Sequence, residues 1–362
     1  MRRFRFMTAL TMAAFVLGIP ADGQRNRKDE EPRTQVLELP KDLPNLITAE
    51  TDRLVFATSP LVTSGLLSRQ VREALKSLNR QLRGASVVAL RAFVAGTGDM
   101  RRVQSIVSET FTERRQPLPV LTVVHSGGLP ATGAQVVLEA VAVARKAVNP
   151  NGLVFISGQR ATSTDPLDPM GPLSEKSLAV LSDTLKSTGV EAQNVQQATC
   201  FVSLIEGSEP LRQKLAAAYP KAALNIVQLR REPTGSVVEC EAVAHLGKAS
   251  PERIQRSSNV VLLNAPRVAI TGAQLAFRSQ ESDIKLAFER LNKTLEEAGA
   301  DTGDVSIRRI YALSRTVADR VLQIEGEYFN KQHPPGGSVL LFEALPSLDA
   351  SFAIDVVAEL NK

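Results

Sequence analysis

The sequence predicts an α+β protein made of three tandem copies of one domain. Apolar strands that end at a small hydroxyl residue recur about every 100 residues, a domain-sized period. Each is followed by a helix-period segment, a β-branched strand, a second helical segment and a closing pair of strands. The repeated strands are Leu54 to Pro60, Leu153 to Gln159 and Val268 to Gln274, and the closing strands carry Leu138 to Ala142, Glu239 to Ala244 and Ala353 to Ala358.

Length and composition agree with three compact domains. The chain has 362 residues, 43% of them hydrophobic and 22% charged, which is typical of a globular protein. We expect a signal peptide over residues 1–23, a flexible tether over 24–33, and domains over 34–146, 147–248 and 259–362.

The N-terminus is typical of a secretory signal peptide. Three arginines within the first five residues precede an apolar stretch from Phe6 to Ile19, which is too short for a comfortable membrane span. A retained membrane anchor is the alternative. We therefore expect an exported protein, periplasmic or secreted, with no stable membrane span after cleavage.

The positive charge does not indicate a nucleic-acid partner. Removing Arg2, Arg3, Arg5 and Asp22 with the signal lowers the formal net charge from +5 to +3. Aromatic residues make up 4% of the chain and Trp is absent, so stacking platforms for single-stranded nucleic acid are scarce. We expect no nucleic-acid partner.

The first copy begins near Thr34 with strands Gln35 to Leu39 and Leu46 to Thr51. Its apolar residues then recur at helical spacing and predict a helix with one apolar face. That face consists of Val71, Leu75, Leu78 and Leu82. The rest of the copy is a strand over Val87 to Ala95, a helix over Met100 to Phe111, and strands over Val120 to His125 and Ala134 to Ala144.

The later copies repeat this order. Leu178, Leu181 and Leu185 mark the first helix of the second copy, and Ile284, Phe288, Leu291 and Leu295 mark that of the third. Each copy is thus a mostly antiparallel sheet with two helices on one face, and its strands are apolar enough to bury both faces. The other predicted elements are Val195 to Leu204, a short helix over Leu211 to Ala218, Val305 to Leu313, a helix over Val317 to Phe329, Ser338 to Leu345, and Ser351 to Glu359.

Cysteine and histidine usage gives little sign of site chemistry. Cys200 and Cys240 could pair in an oxidising compartment, but two small buried residues are the favoured interpretation because sequence does not place their Cα atoms within bridging distance. His125, His245 and His333 have no metal-ligand spacing. We expect no metal and no cofactor.

The second copy resembles the RidA/YjgF family, also called endoribonuclease L-PSP. Leu153 to Gln159 is similar to the family's strand ending in Ser-Gly-Gln, Gly189 to Val202 to its next helix-to-strand segment, and Val237 to Ala244 to its closing IEIEAIA strand. The first and third copies are similar more loosely. The resemblance implies three chorismate-mutase-like domains packed as an intramolecular pseudo-trimer, hence a monomer, with a cleft at each domain boundary.

The resemblance also implies an activity and its residues. Many family members hydrolyse reactive enamines or imines of 2-amino acids to 2-keto acids and ammonia, with an arginine that holds the substrate carboxylate. That arginine matches Leu121, Leu224 or its neighbours, and Gly337, so no copy retains it. The family's water-positioning glutamate matches Val137, Glu239 and Ala353, so the second copy alone retains it, as the candidate catalytic residue Glu239.

Other candidate ligand-binding residues lie beside these positions. The pairs Ser157–Gly158 and Thr271–Gly272 let a ligand approach the backbone closely, or simply end a strand. Arg160 and Lys221 are the candidate substitutes for the missing arginine, although a lysine cannot reproduce bidentate geometry.

Two functions remain open from the sequence. One is an exported deaminase or hydrolase acting on 2-imino acids or related small carbonyl compounds. The other is a non-catalytic small-ligand-binding protein or scaffold, which apolar side chains at the former arginine positions favour. A ribonuclease is a third and weaker interpretation. The expected partner is a small molecule.

Overall fold

Three separate β-sheets, each covered by two α-helices, make up the structure, a computed structural model that describes residues 41–257 and 259–360. The α+β class and the three tandem copies are therefore confirmed. The predicted signal peptide, the tether and the strand over Gln35 to Leu39 lie outside the described residues.

The first copy places two parallel helices on one sheet. Its sheet has the order β2-β5-β3-β4, in which β3 and β4 are parallel and the other pairs are antiparallel. The predicted apolar helix face is buried, since Val71, Leu75 and Leu78 are at most 3% exposed. The elements are β1 (Leu46–Glu50), β2 (Leu54–Thr58), α1 (Leu67–Gln81), β3 (Ser86–Val94), α2 (Met100–Glu113), β4 (Val120–His125) and β5 (Val136–Val143).

The second copy repeats this arrangement but opens with a single long strand. Its second helix is short, as its sequence predicts. The elements are β6 (Leu153–Ser163), α3 (Met170–Ser187), β7 (Val195–Val202), α4 (Glu209–Ala218), β8 (Ala223–Gln228) and β9 (Ser236–His245).

The third copy opens with a hairpin and has its signature strand broken at Gly272–Ala273. The elements are β10 (Ile254–Ser257), β11 (Val260–Leu263), β12 (Arg267–Thr271), β13 (Gln274–Phe277), α5 (Glu281–Glu296), β14 (Val305–Ala312), α6 (Arg315–Glu325), β15 (Gly336–Leu341) and β16 (Ala350–Leu360).

Opening strands are exchanged between copies. β1, the opening strand of the first copy, pairs with β12 of the third, with Leu46 opposite Thr271 and Glu50 opposite Arg267. β11, in the opening hairpin of the third copy, pairs with β6 of the second. The sheets of the second and third copies thus have six strands and that of the first has four. The first copy is thus joined to the third through β1, and the three successive copies of the chain close into a ring.

The sheet faces that do not carry helices pack against each other. Phe93, Phe201 and Tyr311 occupy the same position of β3, β7 and β14, and all three are fully buried with Phe342. Phe93 and Phe201 are 5.9 Å apart between ring centroids, and Tyr311 and Phe342 are 5.6 Å apart. A second apolar cluster, which includes Val141, Val243 and Val357, lies further along the closing strands. The inter-copy core therefore has two apolar layers.

Candidate functional site

The candidate residues Ser157 and Gly337 meet at the boundary between the second and third copies. Both line a cavity of about 20 Å³ together with Thr199, Glu241 and Arg309. About 10–15 Å³ of such space is enough to hold one water molecule, so this cavity has room for about one water and cannot admit an imino acid as it stands. Two predicted site residues are thus brought together in a closed cleft.

The boundary between the third and first copies is closed by backbone contacts. Thr271 lines a cavity of about 60 Å³ with Val120 and Thr122. Beside it, a Cβ added to Gly272 would lie 3.2 Å from the carbonyl oxygen of Leu121. Gly272 is needed here because another copy's main chain approaches it, which leaves no room for a ligand.

Glu239, the retained candidate catalytic residue, is bound by Arg160, the candidate substitute cation. Arg160 Nε donates to Glu239 Oε2 at 2.6 Å, and Arg160 Nη2 donates to the carbonyl oxygen of Val339 in the third copy at 3.0 Å. Arg160 thus holds a carboxylate of the protein and bridges two copies.

The buried position of Glu239 restricts its chemistry. It is 1% exposed, and its Oε1 has no hydrogen-bond partner among the described residues. Burial raises the pKa of Glu239, and the charge of Arg160 opposes this without cancelling it. A raised pKa suits a general base, but a substrate cannot reach this carboxylate without movement of the protein.

The positions that match the lost arginine are structurally equivalent in the three copies. Each of the three positions, Leu121, Leu224 and Gly337, pairs with the neighbouring strand of its copy, which is β3, β7 or β14. The partner residue in that strand comes one residue before a side chain that faces the other copies. Leu121 and Leu224 pack into the helix-side core of their own copies. Gly337 has φ of 146°, and a Cβ there would lie 1.7 Å from Arg308 O, so no side chain fits. None of these positions presents a cation to a cleft.

The remaining candidates lie apart from the closed clefts. Lys221 is exposed in the loop before β8 and lines neither cavity. Gly158, with φ of 63°, packs against Asn259, whose side chain a Cβ would approach to 2.8 Å. This glycine therefore serves a bulge in β6, where the pairing with β9 shifts between Ile156 and Gln159.

A buried polar belt between the two apolar layers was not predicted. Glu139, Glu241 and Asp355 occupy the same inward-facing position of the three closing strands, opposite Arg91, Thr199 and Arg309. The recurrence of an acidic residue in three otherwise apolar strands was the available signal. We call these six residues, with Thr122, Asn225 and Tyr311, the central belt.

Hydrogen bonds of the central belt cross the copy boundaries. Arg91 of the first copy donates to Glu139 at 2.7 Å and to Glu241 of the second copy at 2.5 Å. Glu139 in turn accepts from Thr199 at 2.6 Å and from Asn225 at 2.8 Å. Each of the first two copies thus donates hydrogen bonds to a carboxylate of the other.

Asp355 is the corresponding acceptor of the third copy. It accepts from Tyr311 and from Thr122 of the first copy, each at 2.8 Å, and pairs with Arg309 at 3.2 Å. Burial and the charge of Asp355 raise the pKa of Tyr311 well above its ordinary range, so this hydroxyl stays protonated. Every carboxylate of the belt accepts from a donor of the belt, which indicates a structural role, and Arg91 Nη1 is the atom of its guanidinium left without a partner among the described residues.

The polar groove at the boundary between the second and third copies has the largest volume of the cavities described. It measures about 440 Å³ and lies between the loop that connects β8 to β9 and the start of α6. Arg315 of the third copy pairs with Glu232 of that loop at 2.6 Å. The lining residues are Arg160, Thr162, Ser163, Glu232, Pro233, Thr234, Gly235, Ser236, Val237 and Arg315.

Cys200 and Cys240 form a disulfide, so the expectation of two unpaired cysteines was wrong. The two residues lie directly opposite each other on β7 and β9, with their Cα atoms 4.1 Å apart. The register of the two strands brings the sulfur atoms together, and sequence alone does not reveal that register.

No cluster of potential metal ligands occurs in the part of the chain that the structure describes. Nor does any helix there combine the length and apolar character that a membrane crossing requires.

No family model and no curated protein matches this chain. Solved structures of the YjgF family align with about a third of it. A YjgF family protein from Neisseria meningitidis is 12% identical over 28% of this chain and 85% of its own, with a TM-score of 0.25. One from Mycobacterium tuberculosis is 20% identical over 30% and 85%, with a TM-score of 0.24. A putative endoribonuclease from Thermotoga maritima is 17% identical over 32% and 91%, with a TM-score of 0.24.

Proposed function

We propose that this chain is a three-copy member of the RidA/YjgF family that has lost the deaminase site and works as an exported, non-catalytic small-ligand-binding protein. The family assignment is supported by the three strand motifs of the second copy and by the threefold repetition of one sheet-and-helix pattern. The loss of deaminase chemistry is supported by the two cavities that Ser157, Gly337 and Thr271 line, which hold at most about 60 Å³.

The polar groove is the binding site in this proposal. Its volume of about 440 Å³ is the observation that carries the proposal, because small-molecule sites occupy roughly 300–1,000 Å³. Arg160 and Arg315 line it beside the hydroxyl groups of Thr162, Ser163 and Thr234. Such a lining suits a small polar molecule with a carboxylate or carbonyl oxygen, which guanidinium and hydroxyl groups can bind.

Export is supported by the disulfide as well as by the N-terminal sequence. Disulfides persist in oxidising compartments and are rare in the cytosol. A monomeric state is supported by the exchange of β1 and by the central belt, since these satisfy within one chain the contacts between three copies.

Binding to the groove can be tested by calorimetry with 2-oxobutanoate as the probe. The wild-type protein should bind it, and Arg315→Gln should weaken binding by at least tenfold, because a charge-assisted contact contributes about 1.5–3 kcal/mol. Arg320→Gln is the matched control, since Arg320 lies on the same helix outside the groove. Equal affinities for the two variants would refute the groove as the site.

Deaminase activity is the second candidate, favoured by the retained Glu239 with its raised pKa. Freshly generated 2-iminobutanoate should hydrolyse no faster with the purified protein than in buffer. An acceleration that Glu239→Gln abolishes would overturn the non-catalytic assignment.

A further inference from the structure

The helix layers of the three copies carry very different charges. We define a helix layer as the two helices of one copy, each with its N-cap residue and the three residues beyond its end. The first layer has nine basic and four acidic residues, the second five and three, and the third five and eight.

 The net charge is therefore +5 for the first layer, +2 for the second and −3 for the third. One corner of the molecule is therefore strongly basic.

The basic residues of the first helix layer are all exposed. α1 and α2 run side by side, and Arg72 and Arg102 both pair with Glu109 between them, at 3.0 and 3.2 Å. The other six arginines of the layer have no carboxylate partner among the described residues, and Arg101 donates to the carbonyl oxygen of Pro346 instead. The remaining five are Arg69, Arg80, Arg83, Arg114 and Arg115, all of them exposed.

Helix stability does not account for the extra arginines of the first helix layer. Cations near a helix C-terminus are favourable, and Arg80 and Arg114 lie at the ends of α1 and α2. However, α3 and α5 each end with one lysine in the last turn, and α4 and α6 end with none. The same fold therefore forms twice without the extra arginines.

We propose that the basic helix layer of the first copy docks on an anionic lipid bilayer. Charge complementarity supports this partner, and arginine binds phosphate groups with bidentate geometry. The exposed large apolar side chain of this layer is Leu66. Because the layer offers little apolar surface to insert between lipids, docking is peripheral and electrostatic. Each basic residue near such a surface contributes on the order of 1 kcal/mol, about fivefold in the partition coefficient.

The size of the layer favours a bilayer over the acidic layer of a second copy. A helix of 15 residues is about 22 Å long, and two adjacent helices span roughly 20 Å, so the face covers on the order of 400 Å². A stable protein interface needs about 800 Å² from each partner. A lipid surface sets no such threshold, because its attraction adds up charge by charge.

Vesicle sedimentation with the mature chain tests this proposal. The protein should bind equimolar phosphatidylcholine and phosphatidylglycerol vesicles, should not bind phosphatidylcholine alone, and should be released by salt because the attraction is screened. The double variant Arg80→Gln/Arg114→Gln should lower the partition coefficient by roughly 25-fold. The matched control is Lys176→Gln/Lys221→Gln, which removes two exposed charges from the second layer and should change it by less than about twofold.

Three results would overturn the proposal. The first is equal binding to neutral and anionic vesicles. The second is an equal loss for the two double variants, which would indicate a response to net charge alone. The third is self-association in low salt, detected by light scattering without vesicles and abolished by Arg80→Gln/Arg114→Gln, which would assign the basic layer to a second copy.

Discussion

Arg91 of the first copy lies 2.5 Å from Glu241 of the second, so one buried ion pair joins two copies that repeat the same fold. Burial alone would lower the pKa of Arg91, but the charges of Glu139 and Glu241 outweigh it and raise the pKa. The guanidinium therefore stays charged, and its contacts fix how the two sheets lie against each other.

Removing Arg91 should strongly destabilise the protein. Arg91→Met leaves Glu139 and Glu241 buried without their cation, which costs about 3–5 kcal/mol in the free energy of unfolding. Urea denaturation measures this loss. Arg72→Met is the control, because its pair with Glu109 is solvent-exposed and should contribute about 1 kcal/mol or less. Similar losses for the two variants would contradict a structural role for the central belt.

Glu239 should make the protein less stable as the pH rises. Its pKa in the folded state lies above the ordinary value of 4.5, so the folded protein holds this proton more tightly than the unfolded chain does. The stability from that proton is fully present below pH 4.5 and is lost as the pH rises through the folded pKa. Glu239→Gln removes this dependence, so its stability relative to the wild type should increase with pH.

Glu175 should change the stability of the protein with pH in the opposite direction, which makes it a comparison for Glu239. Lys214 lowers its pKa, so its contribution is present at neutral pH and is lost as the pH falls. In urea denaturation from about pH 3 to pH 8, Glu175→Gln should therefore lose stability relative to the wild type as the pH rises, with most of the change near and below pH 4.5. If the two glutamine variants follow the same trend, the assigned direction for Glu239 is wrong.

The Cys200–Cys240 disulfide should stabilise the second copy. It closes a loop with a sequence separation of 40 residues, for which the cross-link contributes about 2–4 kcal/mol. The variant Cys200→Ala/Cys240→Ala should lose this amount in urea denaturation, and dithiothreitol should destabilise the wild type but not the variant. Mass spectrometry after alkylation without a reductant should find no free thiol, and two alkylated cysteines would disprove the pairing.

Removing β1 should open the ring of copies. A variant that starts at Thr51 exposes the edge of β12, and such an edge pairs readily with other chains. We expect lower thermal stability and concentration-dependent association in light scattering. A variant that starts at Asn45 keeps β1 and should remain a monomer. Monomeric behaviour of both variants would show that β1 is dispensable for closure.

The sequence predicted the helices of each copy and the strands that follow them because their apolar spacing is local, whereas the hairpin of β10 and β11 was not among the predicted elements. The stripe of Val71, Leu75 and Leu78 is an example, since its helical period follows from burial against the adjacent sheet. The shortened α4 was also visible from its own segment.

The contacts between copies were not predictable in the same way. Nothing near β1 indicates that its partner is β12, because strand pairing depends on the register between distant segments. The pairing of Cys200 with Cys240 was not predictable for the same reason. Likewise, the sequence offers Arg160 only as a candidate substitute for the missing arginine, and it is the packed structure that gives its carboxylate partner, Glu239.

The exchange of β1 also sets a waiting time during synthesis. Leu46 leaves the ribosome 225 residues before its partner Thr271, so at 5–20 residues per second β1 waits roughly 10–45 s for β12. Throughout that interval its main-chain donors and acceptors are open to any other extended segment.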